Sequence, residues 1–326
     1  MLTQRTIAER MQISQATVSQ ALKGTGRMSE ELRARILSVA TEMGYRPHLA
    51  GQLLRGRQSN VIGVVLPTLR NEYFAELFQE LQTEIMRRGY LACLLCYQDA
   101  GEVEEARRHL SEMRVAGVVL HHSGYHAFRS VLEKGMRVVV YGGDAPLNEE
   151  GVSQVLPERY GASLELMRHL LARGYRRIAF LGRASEGSQR YAAYRAALAE
   201  AGIAFVRHYA DKEHEETMAG GYAMMRRLLD SGERVDAVFA HNDDTAIGAL
   251  RAVSERGLRV PDDLALAGFD NIRTGGFLKP SLTTVEQPRR EMARQLLLEL
   301  FAGIGQGTHH HAVISVPCQL IVREST

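Results

Sequence analysis

Residues 8–22 run AERMQISQATVSQAL, and the way this stretch divides decides the N-terminal fold. Ile7, Ala8 and Met11 fall on one side of a helix over Gln4–Met11 by their i, i+1, i+4 spacing. Gln12 and Ile13 leave room only for a brief turn, and Ser14 is a good N-cap for a second helix ending at Leu22. That helix turns Val18, Ala21 and Leu22 inward and Gln15, Ala16, Ser19 and Gln20 outward. A third begins at Ser29, whose hydroxyl can cap Glu30-Glu31-Leu32; it buries Leu32, Ile36, Val39 and Met43 and stops at Gly44. Two short helices joined by a tight turn form the helix-turn-helix, which lays its second helix in the major groove of DNA. A plain three-helix bundle would show the same periodicity.

Charge separates the two. Residues 1–60 carry nine Lys and Arg against four Asp and Glu, a net of +5, so the remaining residues hold −3 of the total of +2. A basic head on a mildly acidic body suits a polyanion touched by the head alone. Residues 46–60, RPHLAGQLLRGRQSN, have helical spacing for about two turns, with Gly51 inside and Gly56 just after. Helices this short are marginal alone, and Gly costs about 1 kcal/mol against Ala. The segment reads either as an ordinary linker or as a hinge that folds only on DNA and wedges Leu54 into the minor groove.

With 326 residues, 45% hydrophobic and 24% charged, the chain has room for two or three ordinary globular domains. From Val61, apolar runs alternate with helical patterns. VIGVVLP, LACLLCY, AGVVLHH and RVVVYGG form one series of buried-strand text; RIAFLG, AVFAHND and LALAGFDN form another. Such alternation implies parallel sheets of right-handed βαβ units, and two series imply two lobes. Ligands of such sheets bind beyond the C-terminal strand ends, here the cleft between lobes.

The expected organisation is therefore α/β: an all-α head over 1–45, a hinge or linker over 46–60, and a two-lobed core over 61–326. Lobe one is expected to take about 61–156 and 286–313, and lobe two about 157–285 and 314–326. Cys93, Cys96 and Cys318 are too few for a disulfide framework, and Cys93 and Cys96 lie in strand text where a redox pair would open a helix. MLTQRTIAERM has no apolar signal core and no run of roughly 18 apolar residues occurs, so a cytoplasmic protein without membrane contact is expected.

Catalytic and cofactor motifs are absent: no P-loop, no G-x-S-x-G, no H-E-x-x-H, and too few glycines in GRASEG for a phosphate cradle. Neither an enzyme nor a cofactor is expected. HHH at 309–311 reads as an exposed loop rather than a metal site. His121-His122 ends a strand at the cleft edge, where one ring can touch a ligand or both can be solvated.

AERMQISQATVSQAL, then SEELRARILSVATEMGYRP, then LLRG closely resemble the head and hinge of the LacI/GalR family of bacterial repressors. VIGVVLP with NEYF, GYRRIAFLG, QRYAAYRAAL, HNDDTAIGAL, RVPDDLALAGFDN and LTTVEQP resemble that family's effector-binding core, itself similar to periplasmic sugar-binding proteins. The resemblance implies base-reading positions at Gln15, Ala16 and Gln20, a hinge wedge at Leu54, and a DNA-contacting set completed by Thr6, Ser14, Thr17, Ser19, Arg27 and Arg55. It implies effector contacts from Arg190, Asn242, Asp243 and Asp270, with Tyr73 and Phe74 as apolar or stacking contacts. Gln20 stands where the family usually has Arg, and Gly51-Gln52 replace the common Ala-Arg.

The implied protein is a repressor of a metabolic operon that binds pseudo-palindromic double-stranded operator DNA as a homodimer and answers to a small-molecule effector, a sugar or sugar derivative. Carboxylates, amides and a guanidinium beside an aromatic ring suit paired hydroxyls and weakly apolar ring faces. The alternatives are a nucleobase effector, which would want a second aromatic opposite Phe74, a phosphoprotein corepressor, and a non-regulatory sugar-binding protein.

Overall fold

A computed structural model of the chain describes residues 3–22, 24–45, 59–97, 99–132, 136–182, 185, 187–204, 216–304 and 311–326. The chain separates into two compact units, Met1–Ser59 and Asn60–Thr326.

The first unit holds α1 (Gln4–Met11), α2 (Gln15–Leu22) and α3 (Glu30–Glu42). Thr3 and Thr6 form a reciprocal capping box at the start of α1, and Gln12 ends that helix in the left-handed region at φ 56°. The Ser14 hydroxyl accepts the Thr17 N–H at 3.0 Å, and the Ser29 hydroxyl accepts that of Leu32 at 3.2 Å. Ile7, Ala8, Val18, Ala21, Ile36 and Ala40 form the small core, with Met11, Leu32, Val39 and Met43 partly buried around it. Leu54, Arg55 and the rest of the expected hinge lie outside the described residues, apart from Ser59 and Asn60.

The second unit begins with β1 (Val61–Leu66), α4 (Glu72–Arg87), β2 (Leu91–Cys96), α5 (Ala100–Glu112), β3 (Gly117–His121), α6 (Tyr125–Leu132), β4 (Val138–Tyr141) and β5 (Ser153–Glu158). It continues with α7 (Arg159–Ala172), β6 (Ile178–Leu181), α8 (Gln189–Glu200), α9 (Met218–Asp230), β7 (Ala237–Ala240), α10 (Asp243–Glu255), β8 (Ala265–Ala267) and β9 (Thr284–Glu286). Last come α11 (Arg289–Gly303), β10 (Val313–Pro317) and β11 (Gln319–Ile321). Lobe one is a six-stranded sheet ordered β10-β5-β4-β3-β1-β2, parallel throughout; Val64 sits opposite Leu94 on one side and Val119 on the other. In lobe two, β6, β7 and β8 run parallel, and the antiparallel pair β9 and β11 joins β8 through the Ala267–Thr283 bridge.

Both faces of each sheet are covered, as parallel sheets require. Leu77, Leu81, Leu296 and Leu300 pack on one face of the first sheet, and Val103, Leu110 and Phe128 on the other. Leu166, Tyr194 and Phe239 fill one side of the second, while Met225, Ala249 and Val253 fill the other. On that side α9 and α10 meet through glycines: a Cβ on Gly248 would overlap the Met218 carbonyl oxygen.

The chain crosses between lobes after Glu158, after Glu286 and after Pro317. The last point corrects the boundary expected at 313/314, because Val313–Pro317 pairs residue for residue with Gln154–Glu158 and so stays in lobe one. The first crossing likewise falls two residues later than expected. LACLLCY also departs from the expected buried strand: β2 is the sheet edge, its interior residues are half-buried and Cys96 is exposed.

Candidate functional site

Parallel strands deliver their C-terminal ends, and the helix starts that follow, to one side of each sheet. Asn71, Asp99, Thr217 and Asn242 cap α4, α5, α9 and α10, each accepting a backbone N–H at 2.8–3.1 Å. All four line a single cavity between the lobes. The lobes touch on both flanks of it. The Asn71 amide donates to the Asp244 carboxylate at 3.0 Å and the Thr274 hydroxyl to Glu72 at 2.7 Å, while the Gln189 amide donates to the Asp144 carbonyl at 2.7 Å.

Beside the crossings lies a buried polar cluster. Arg190 and Asp270 come from α8 and from the end of β8, and Nη2 of Arg190 stands 3.6 Å from Oδ1 of Asp270. The Gln287 amide donates to the same oxygen at 2.5 Å, and Nε of Arg159 donates to Oε1 of Gln287 at 3.2 Å. Arg190 also donates to Nε2 of His241 at 2.7 Å and lies 4.2 Å above the Phe269 ring, leaving its own Nε buried without a hydrogen-bond partner. Burial drives the Asp270 pKa up to about 6, against the opposing pull of Arg190, Gln287 and Arg159. Asp270 sits at φ 113°, a conformation costing on the order of 1–3 kcal/mol, held by its N–H to the Val285 carbonyl and by Arg289 on its own carbonyl oxygen. Strain maintained in this way is typical of a working site.

The remaining expected effector residues divide. Asn242 is at the cavity wall, its amide donating to the Glu216 carbonyl at 2.9 Å. Asp243 points the other way: it is fully buried, one carboxylate oxygen accepts the Ile272 N–H at 2.8 Å and the other the Thr284 hydroxyl at 2.6 Å. One oxygen ties α10 to the turn after β8 and the other ties it to the start of β9, and burial raises the Asp243 pKa well above the ordinary range. Tyr73 is equally internal, accepting the Tyr141 hydroxyl at 2.9 Å, with its pKa pushed up to about 12 by burial. It braces Phe74, which does line the cavity, edge-on at 5.5 Å. His121 and Tyr141 complete this aromatic wall, with His121 centred 5.6 Å from Phe74 and 5.4 Å from Tyr141. Burial lowers the His121 pKa to about 3, so the ring is neutral at any working pH.

In the first unit Gln15 and Ala16 are exposed on α2 and Thr6 is exposed on α1, while Arg27 is exposed in the turn before α3. Ser14 and Thr17 are engaged with each other, their hydroxyls 2.8 Å apart. Ser19 departs from the outward placement: it is half-buried and its hydroxyl is buried without a partner, because it lies about 100° from core-facing Val18 and one turn from half-buried Leu22. Gln20 is exposed, but its amide rests on the following turn, where a Cβ on Gly26 would meet Gln20 Oε1 at 2.7 Å. Arg33 holds that turn through the carbonyls of Gly24 and Gly26 at 3.3 and 3.4 Å.

Several residues of the polar cluster carried no signal of their own. Gln287 belongs to the LTTVEQP text without standing out in it, Arg159 follows a strand with no alternating pattern, and His241 reads as a strand end. Among the described residues no group of three His, Cys, Asp or Glu side chains could hold a metal ion. His309 and His310 lie outside them, and His311 faces the Val152 carbonyl, with Nδ1 2.8 Å away. No helix among the described residues is long and apolar enough to cross a membrane.

The comparisons with known proteins agree with this geometry. Residues 3–48 match the family described as bacterial regulatory proteins, lacI family, and residues 167–326 match the periplasmic binding protein-like domain. The ribose operon repressor of Halalkalibacterium halodurans is 31% identical over 336 residues, covering 100% of this chain and 97% of that protein. The HTH-type transcriptional repressor PurR of Mannheimia succiniciproducens is 28% identical over 332 residues, covering 100% and 98%. Among solved structures, a transcriptional regulator CelR-cellobiose complex superposes with a TM-score of 0.73 at 27% identity over 100% of both chains. Head, cleft and full-length relatives together place the chain in the LacI family of bacterial transcription regulators.

Proposed function

We propose that this chain represses a metabolic operon by binding a pseudo-palindromic operator as a homodimer, and that a sugar or sugar derivative bound between the lobes controls it. The observations that carry the effector class are the buried set Arg190, Asp270 and Gln287 beside the crossings, and Asn242 and Phe74 in the lining of the cavity between the lobes. A carboxylate that accepts from two directions beside a guanidinium and amides suits vicinal hydroxyls, and an aromatic wall suits the C–H face of a sugar ring. Names of relatives point the same way, one a ribose operon repressor and another solved with cellobiose. The rings around Phe74 all belong to lobe one and meet it edge-on, an arrangement that suits one sugar face better than a nucleobase sandwiched between two rings.

On the DNA side, Gln15 and Ala16 are displayed at the start of α2, the end of a recognition helix that meets base edges. Operator binding and effector binding are linked reciprocally: whatever factor the sugar applies to DNA affinity, DNA applies to sugar affinity. The test is fluorescence anisotropy of the full chain on operator fragments selected from random DNA, titrated with sugars. Selection of a palindromic site whose occupancy shifts with one sugar supports the proposal, and failure to select any sequence overturns it.

A further inference from the structure

Arg137 stands immediately before β4, on the edge of the first sheet opposite the cleft. Parallel strands bring their starts together there: the Asn60 carbonyl accepts the Leu91 N–H, that of Val61 the Ala116 N–H, and that of Arg137 the Val118 N–H, each at 2.8 Å. This is also the edge at which the chain arrives from the first unit. Arg137 is 6% exposed, and its Nε, Nη1 and Nη2 are all buried without a hydrogen-bond partner among the described residues. Its guanidinium lies against Gly303, the last residue of α11, where a Cβ would overlap it. One turn earlier on the same helix face stands Glu299, near enough to oppose the burial that pulls the Arg137 pKa down. The Glu299 carboxylate, however, accepts from the Ser153 hydroxyl at 2.8 Å, at the start of β5.

A buried cation without a partner is costly, and an apolar side chain of similar size would serve the packing better. A second arrangement in which the charge is paired accounts for it, and Glu299 is the acid within reach. Helix α11 links this point to the polar cluster. It has 15 residues and so spans about 22 Å at 1.5 Å per residue. At its start Arg289 donates to the carbonyls of Asp270 and Asn271 at 2.7 and 3.1 Å and pairs with Glu76 at 3.0 Å. Movement of the polar cluster therefore acts on one end of a rod whose other end rests on Arg137, and packed helices commonly shift by roughly 1–2 Å in such transitions.

We propose that the end of α11 is a two-position switch, Glu299 being held by Ser153 in one position and paired with Arg137 in the other, with effector and operator favouring different positions. The link to the effector rests on control by a ligand between the lobes, and the experiment separates it from the switch itself. Anisotropy of the full chain on operator selected from random DNA is read with and without glucose, galactose, ribose, xylose, cellobiose or maltose. Arg137→Met and Glu299→Gln lose the paired position. Operator affinity without sugar should then stay within about two-fold of wild type, while the shift produced by an active sugar shrinks about ten-fold or more. Arg137→Met should melt no lower than wild type, and Arg137→Lys, which keeps the charge, should keep most of the shift. Ser153→Ala releases Glu299 from β5, so operator affinity without sugar should move roughly five-fold or more toward the sugar-saturated value, and adding Arg137→Met should cancel that move. A full sugar response in Arg137→Met, unchanged operator affinity in Ser153→Ala, or a Ser153→Ala effect that survives Arg137→Met overturns the switch. A wild type that answers to no sugar overturns control by a sugar instead, and the Ser153→Ala change with its cancellation still decides the switch on operator affinity alone.

Discussion

The two units of this chain prepare for their ligands in opposite ways. In the head, the groups offered to DNA carry small obligations: Gln15 and Ala16 are exposed on α2, and the Ser14 hydroxyl caps that helix by accepting the Thr17 N–H. In the cleft, Arg190, Asp270 and Gln287 are nearly inaccessible and already bonded to one another. DNA supplies a dense field of phosphates that positions an exposed surface, whereas a neutral sugar gains affinity only where acceptors and donors are desolvated and fixed beforehand. Head substitutions should therefore change recognition with little effect on folding, and cleft substitutions should affect both.

Asp270→Ala probes this contrast with the largest expected effect. Removing the carboxylate leaves Arg190 buried beside Arg159 without its counter-charge, and breaking a buried pair this way typically costs about 3–5 kcal/mol. Effector affinity should fall by at least 100-fold and the second unit should melt at lower temperature, while the operator is still bound by what remains folded. Calorimetric titration and thermal melts of the same variant check it; wild-type effector affinity with unchanged melting would show the pair to be decorative.

Gln20→Arg is the corresponding change in the head. Gln offers one donor and one acceptor, matching adenine in the major groove, whereas Arg matches the two acceptors of guanine. The amide rests on the Gly26 turn and would have to leave it to reach a base. If it does so on operator, the substitution moves preference from A·T toward G·C at one position of each half-site by about 1–3 kcal/mol, with no change in melting. Operator selection with both proteins decides it, and identical preferences at every position would leave sequence reading to Gln15 and Ala16.

How legible each unit was follows from the same contrast. The three head helices were readable because caps and core positions lie within one turn of each other: Ser14, Ser29 and the Val18–Ala21 face are local signals. Most strands were readable as short apolar runs. Strand β5 was not, since SQVLPE carries Ser, Gln and Pro at positions buried by neighbouring strands rather than by its own pattern. In the polar cluster Arg190 and Asp270 were legible only through resemblance, and Arg159 and Gln287 not at all, because the four come from separate segments and no spacing rule joins them. Resemblance alone also placed Asp243 and Tyr73 among the effector contacts, whereas both spend their polar atoms inside the fold.

A pH series separates the units without mutation. Asp270 titrates near pH 6 in the folded chain, above its ordinary value of 3.8. Between these values the folded state holds a proton that the unfolded state has lost, so this group favours folding below about pH 4 and loses that contribution as pH rises through 6. A sugar needs the ionised carboxylate as acceptor, so its affinity runs the other way, constant above pH 7 and falling by up to tenfold per unit below about 6. Asp270→Asn should be weak but flat with pH. His121, neutral down to about pH 3, adds nothing in this window. A wild-type profile as flat as that of the Asn variant would remove Asp270 from the binding site.

The smallest expected effect falls on Ser14, where the head's obligations to its own fold and to DNA meet in one hydroxyl. Its oxygen accepts the Thr17 N–H at 3.0 Å and lies 2.8 Å from the Thr17 hydroxyl. Loss of such an N-cap costs about 0.5–2 kcal/mol, so Ser14→Ala should lower the stability of the head and weaken every operator sequence alike. Ser14→Asp distinguishes cap from contact. Aspartate caps a helix as well as serine and favours its positive end, so head stability should be kept or slightly raised. If the hydroxyl also meets a phosphate, the added carboxylate opposes the DNA backbone, and the variant should bind more weakly than Ser14→Ala despite being more stable. Chemical denaturation of the head paired with anisotropy at two salt concentrations gives both quantities. Operator affinity that simply follows head stability across Ser, Ala and Asp would assign Ser14 to the fold alone and leave the exposed Gln15 and Ala16 as the part of α2 committed to DNA.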